Sequence, residues 1–274
     1  MFQKLFRSLN PHKPPFFAVL IFLLSLEMIP LFGLTSEPTD SWVPRVGSQV
    51  YVGPVWAYRK TYLDNENITS TANDSWGVTG AYQYLYPKKL YVNLDGEWHE
   101  SDYANKGANL SNKSQKNGIY LEGDLGYTVN LTKSLRWMFT PFIGYRFEYT
   151  WSKTPSLNVK RHAQKNYIPL GFRVDWLVSP HWNLALKTDY PLLFYGTNTI
   201  KDPTYGKTVQ KIHSTCYFEF FLPITWFYEP TGNGFFAQLV PQGSFRQCYE
   251  NTRFGQRNVT HYSIGVELDL GFGF

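Results

Sequence analysis

The feature that most constrains this chain is a two-residue alternation, repeated along its length with no internal apolar run long enough for a spanning helix. From Ile119 to Leu131 one face reads Ile119, Leu121, Gly123, Leu125, Tyr127, Val129 and Leu131. The other reads Tyr120, Glu122, Asp124, Gly126, Thr128 and Asn130. Successive side chains of a strand point to opposite faces, so this pattern predicts a strand with one apolar and one polar side. The same parity recurs at Leu90–Trp98, at Trp137–Trp151 and again towards the end of the chain. These segments are long for soluble strands, where about five or six residues is usual. A spanning helix needs ~18 consecutive apolar residues. A chain that crosses lipid on strands must instead close them into a barrel, because lipid offers no partner to an open edge.

Ten strands are predicted, at about 49–59, 76–86, 90–100, 118–131, 137–151, 167–178, 182–195, 212–228, 235–247 and 260–274. Short connections fall at Pro87–Lys89, Thr132–Arg136, Ser179–His181 and Glu229–Gly234. Long polar ones fall at about 60–75, 101–117, 152–166, 196–211 and 248–259. This rhythm predicts an all-β fold, a closed antiparallel up-and-down transmembrane β-barrel with short turns at one rim and long loops at the other. Composition agrees: aromatic residues reach 18% while mean hydropathy stays below zero. That combination suits a wall that is apolar on alternate residues only. Trp76, Trp98, Trp137, Trp151, Tyr167, Trp182, Tyr195 and Trp226 sit near strand boundaries, where amphipathic rings favour the membrane–water interface.

The N-terminus reads as a targeting segment, residues 1–35. Lys4, Arg7 and Lys13 precede an apolar stretch from Phe16 to Leu26, with small residues at Gly33 and Thr35 near a plausible cut. An uncleaved helical anchor is the competing reading. Residues 36–47 would then form a short periplasmic segment ahead of a barrel at 48–274. The net charge of +5 forms no single stripe, which argues against nucleic acid as a partner. Cys216 and Cys248 lack metal-ligand spacing, and no metal or other cofactor is expected. Export would permit a disulfide between them, but parity sends Cys216 outward and Cys248 inward. Such a bond would need a bulge, with Pro241–Gly243 a candidate place.

The closing stretch Tyr262, Ile264, Val266, Leu268, Leu270, Phe272 and Phe274 alternates with polar or small residues and ends on phenylalanine. It resembles the last strand of bacterial outer-membrane β-barrel proteins. The resemblance covers about 48–274 and implies an integral outer-membrane location, periplasmic short turns and external long loops. It also implies contact with outer-membrane lipids and lipopolysaccharide, and with the barrel-assembly machinery during insertion.

Within such a barrel, parity collects the charges on the lumen side: Asp95, Glu97, His99, Glu122, Asp124, Arg146, Glu148, Arg173, Asp175, Lys187, Asp189, Glu219, Arg246, Glu267 and Asp269. His213 and His261 share that parity. An Arg or Lys at the lipid midplane would cost ~2–4 kcal/mol, which fixes inside from outside. Hairpin arithmetic places Glu122 beside Arg146 and Lys187 near Glu219. A ten-stranded lumen is little wider than one filled by side chains. The first expectation is therefore a structural or surface-interaction barrel with a lumen plugged by charge pairs, and a narrow porin-like channel is the alternative. Carboxylates beside His99 could also activate water, as in the ten-stranded omptin proteases, but no convincing second pair is discernible and no catalytic residue is assigned. Lys153, Lys160, Arg161 and Lys165 make the third long loop basic, suited to lipopolysaccharide phosphates or host polyanions.

Overall fold

The computed structural model describes residues 47–63, 71–85, 90–107, 110–132, 136–252 and 255–274. The targeting segment, nearly all of 36–47 and the short connection Pro87–Lys89 lie outside them. Ten antiparallel strands follow one another around a ring. They are β1 (Gly47–Leu63), β2 (Thr71–Leu85), β3 (Leu90–Gly107), β4 (Leu110–Tyr127) and β5 (Trp137–Thr154). The circuit continues with β6 (Val159–Ser179), β7 (Trp182–Asp202), β8 (Gly206–Phe221), β9 (Gly234–Thr252) and β10 (Gly255–Gly273). Val129–Asn130 prolongs β4 along β5, and Ile224–Phe227 prolongs β8 between β7 and β9. β10 pairs with β1 from Gln49 opposite Gly273 to Leu63 opposite Val259. Ser48 and Phe274 exchange backbone hydrogen bonds of 3.1 and 2.9 Å at the seam. The barrel is closed.

Strand order matches the sequence expectation, but strand length does not. A transmembrane strand needs about 9–11 residues, whereas these run from 15 to 21. Most of what polarity suggests as long loops is strand prolonged past the apolar band: 101–107 in β3, 159–166 in β6 and 196–202 in β7. Those stretches lack apolar alternation, so the period-two signal fades while backbone pairing continues. The described tips are compact. Pro155–Leu157 is a single 3-10 turn, closed by Asn158 at φ 50° with its N–H on the Pro155 carbonyl. Between β7 and β8, Asp202 Oδ1 accepts from the backbone N–H groups of Thr204 (2.7 Å) and Tyr205 (3.1 Å). At the opposite rim Ser179 is already paired with Trp182.

The outer wall is apolar as parity requires, with Val52, Val78, Leu121, Ile143, Leu170 and Leu268 exposed. Aromatic rings mark both rims. At the short-turn rim Trp137 stacks on Trp176 with centroids 5.2 Å apart, and Trp182 lies opposite Trp226. Towards the hairpin rim Trp76, 64% exposed, leans on Trp56. Tyr167 departs from the expected girdle: it is wholly buried inside. It shares odd parity with Arg173 and Asp175 on β6, and that parity outweighs its position near a boundary.

Two irregularities reset parity. Between β6 and β7 the register skips Phe194, so Phe194 and Tyr195 are both exposed. Between β8 and β9 it skips Thr215, turning Ile212 inward and leaving His213 exposed rather than in the lumen.

Candidate functional site

The lumen holds three tiers of polar side chains, each placed by strands whose inward positions alternate. The middle tier centres on Arg146 of β5, which has no exposed surface. Glu122 of β4 is its direct register partner, as hairpin arithmetic predicts. Arg146 Nε donates to Glu122 Oε2 at 2.5 Å. Its Nη2 donates to Asp189 Oδ2 of β7 at 3.2 Å, and its Nη1 to Glu219 Oε2 of β8 at 2.5 Å. The rings of Tyr120 and Tyr217 lie 5.0 and 5.6 Å from the guanidinium carbon. One side chain thus ties three strands.

Lys187 of β7 does not meet Glu219. The register sets Lys187 opposite Phe221 and Asp189 opposite Glu219. The β7–β8 turn is centred one residue later than the arithmetic assumed, and each such step moves the pairing by two. Lys187 instead crosses the lumen to β4, with Nζ 2.8 Å from both Glu122 Oε1 and Asp124 Oδ2. Gly144 makes room for the Asp124 carboxylate, because a Cβ there would collide with it. Asp95 of β3 is the register partner of Glu122 and accepts from Thr79 at 3.3 Å.

At the short-turn tier Arg173 forms a fork with Asp175, both bonds 2.8 Å, and reaches Gln83 Oε1 at 2.8 Å. Asn183 completes the acceptor set of Asp175 at 3.1 Å. A cavity of about 20 Å³ beside Gln83, Arg173 and Asn183 is the size of one water, not of a solute. Glu267 and Asp269 of β10 share one inward face, with Asp269 wholly buried.

The hairpin tier is basic. Glu97 and His99 of β3 lie 3.0 Å apart, and Arg59 of β1 touches both, at 3.7 Å from Glu97 and 3.2 Å from His99 Nε2. Gly118, opposite His99, leaves the space that the imidazole occupies. Glu148 of β5 receives Lys165, Arg246 and the Tyr167 hydroxyl at 3.5, 3.4 and 3.4 Å. Arg246 lies between the rings of Tyr167 and Tyr217.

The basic third loop resolves into strand ends. Lys153 and Lys160 are paired and exposed beside Arg161, whereas Lys165 points inward to Glu148. Cys216 and Cys248 carry no disulfide. The bulge such a bond would require is present, at Thr215 rather than at Pro241–Gly243. It still leaves Cys248 inside, with its thiol 3.7 Å from the Val259 carbonyl. Arg59, Gln83 and Tyr217 are lumen groups absent from the sequence expectation. Each shares the parity of an inward neighbour, so applying parity to every strand position would have found them. Among the described residues no group of His, Cys, Asp and Glu is arranged to hold a metal ion.

A sequence model of the Autotransporter beta-domain family matches residues 40–192, more than half of the chain. The chain belongs to that family. It is an integral protein of the bacterial outer membrane, with the short turns periplasmic and the long hairpins external. No curated protein sequence matches it. Among solved structures, the outer membrane protease OmpT from Escherichia coli aligns over 88% of this chain and 100% of its own at 8% identity, with a TM-score of 0.53. The translocator domain of autotransporter NalP from Neisseria meningitidis aligns over 91% and 96% at 8% identity, TM-score 0.39. The transport unit of autotransporter AIDA-I from Escherichia coli gives 92% and 97% at 9% identity, TM-score 0.39. The OmpT likeness is one of fold alone.

Proposed function

We propose that this autotransporter-family barrel is a sealed outer-membrane anchor that acts through its external hairpins and does not conduct solutes. The observation that carries the reading is the Arg146 tie, one fully buried guanidinium bonded to carboxylates on β4, β7 and β8. Lys187 adds a second bridge across the lumen. Breaking such pairs one at a time leaves uncompensated buried charge, costing about 3–5 kcal/mol each time. Passage of a solute or a chain would require that opening. The hairpins project past the apolar band as paired strand, which gives them a fixed shape for recognition. Lys153, Lys160 and Arg161 at the β5–β6 tip suit polyanions, with lipopolysaccharide phosphates and host surface polymers as the chemical class. Outer-membrane lipids surround the wall, and the assembly machinery would read the Tyr262–Phe274 strand.

The test is swelling of liposomes carrying the refolded protein in an isosmotic solution of a small sugar. The proposal expects the rate of protein-free liposomes. Swelling that grows with the protein-to-lipid ratio would overturn it.

A further inference from the structure

The external ends of β5 to β8 carry a charge pattern that no single hairpin shows. Lys153 of β5 stands opposite Lys160 of β6, Lys160 opposite Lys201 of β7, and Lys201 opposite Lys207 of β8. Four lysines thus form one unbroken register row across four adjacent strands. Neighbouring strands lie about 4.8 Å apart, so the row spans roughly 14 Å. All four side chains are exposed, and none joins a salt bridge among the described residues. Residues directly opposite share a face, and this face is the outer one. β5 keeps its parity without a shift from the exposed Ile143 and Tyr145 up to Lys153. The row beneath, towards the membrane, holds Trp151, His162, Thr199 and Val209, and the next adds Lys211. No acidic residue occupies an outward position in these three rows. Asp202, next to Lys201, has the opposite parity and caps the β7–β8 turn through Thr204 and Tyr205. Arg161 stands apart as well, opposite Ser152 and Ile200 on the inward side. Like charges set directly opposite one another destabilise a strand pair. Here three such pairs follow in succession, and a multiply charged anion lying along them would relieve all three.

We propose that the row of Lys153, Lys160, Lys201 and Lys207, with Lys211 below it, docks the phosphates of lipopolysaccharide in the surrounding outer leaflet. The lysines face outward on the same wall that meets lipid, so their partner stands beside the barrel rather than over its mouth. Resting on the polyanion reading of the external hairpins, this places the contact along four strands instead of at the β5–β6 tip, and leaves Arg161 out. The surface is separate from the Arg146 tie and stands whether or not the barrel conducts.

The test uses the full-length protein refolded in a zwitterionic detergent, read by its thermal unfolding midpoint during titration with deep-rough lipopolysaccharide. Wild type should show a saturable rise, because a ligand that binds only the folded state stabilises it by mass action. The same lipopolysaccharide stripped of its phosphates should act only weakly. Lys201→Gln with Lys207→Gln leaves the β5–β6 tip untouched and should weaken the apparent affinity roughly tenfold. Lys201→Arg with Lys207→Arg, which keeps both charges, should restore it, and Arg161→Gln should leave it unchanged. Heparin in a parallel titration stands for soluble polyanions. A rise with heparin but none with lipopolysaccharide would overturn the lipid assignment and leave the polyanion reading of the hairpins standing. No rise with either, in wild type alone, would overturn both. Equal affinity in wild type and the double glutamine variant would overturn the row, as would a rise that survives phosphate removal or a loss confined to Arg161→Gln.

Discussion

The middle and hairpin tiers of the lumen are built from the same residue types and differ in how their arginines are bonded. In the middle, Arg146 spends every nitrogen on a carboxylate, and Lys187 closes the gap to β4. One tier up, Arg246 uses one nitrogen, and the other two have no hydrogen-bond partner among the described residues. A guanidinium bonded at every nitrogen fixes the strands it joins more firmly than one held by a single long contact. The lesson is that buried charge alone does not mark a functional site. How fully its donors are bonded decides how much the fold depends on it.

Substitutions can break or sharpen that contrast. The largest effect is expected at Arg146→Ala, which strands Glu122, Asp189 and Glu219 together and should cost about 3–5 kcal/mol in urea unfolding from lipid. Adding Glu122→Gln should recover part of that loss, giving a non-additive cycle. Additive effects would mean that the pair does not act as a unit. Arg246→Gln should cost only about 1 kcal/mol, since it loses one long contact and its cation–ring contacts with Tyr167 and Tyr217. A cost equal to that of Arg146→Ala would erase the distinction between the tiers. Tyr167→Phe, which removes only the hydroxyl near Glu148, should fall at roughly 0.5–1 kcal/mol. The smallest effect belongs to Lys160→Gln at the exposed β5–β6 tip, within about 0.5 kcal/mol and on the stabilising side, because Lys153 sits directly opposite.

How much of this was legible in the sequence follows from where period two holds. Between Ile119 and Tyr149 the strands are unbroken, so parity and hairpin arithmetic deliver the Glu122–Arg146 pair directly. At Phe194 and Thr215 a single extra residue inverts parity in the part of that strand nearer the external hairpin, and nothing in the local composition announces it. His213 went astray for that reason. Lys187 went astray because one residue of turn placement becomes two of register. The hairpin extensions were hidden because their sequences lack apolar alternation. The bonding of Arg246 was invisible in principle, since only three-dimensional neighbours reveal which of its donors find a partner.

The central claim is that the Arg146 tie seals the barrel, and single-channel recording of the refolded protein in a planar bilayer tests it most directly. Wild type should give no steady conductance, and the Arg146→Ala, Glu122→Gln double variant should give small, flickering openings. Large, steady currents from wild type would contradict the account.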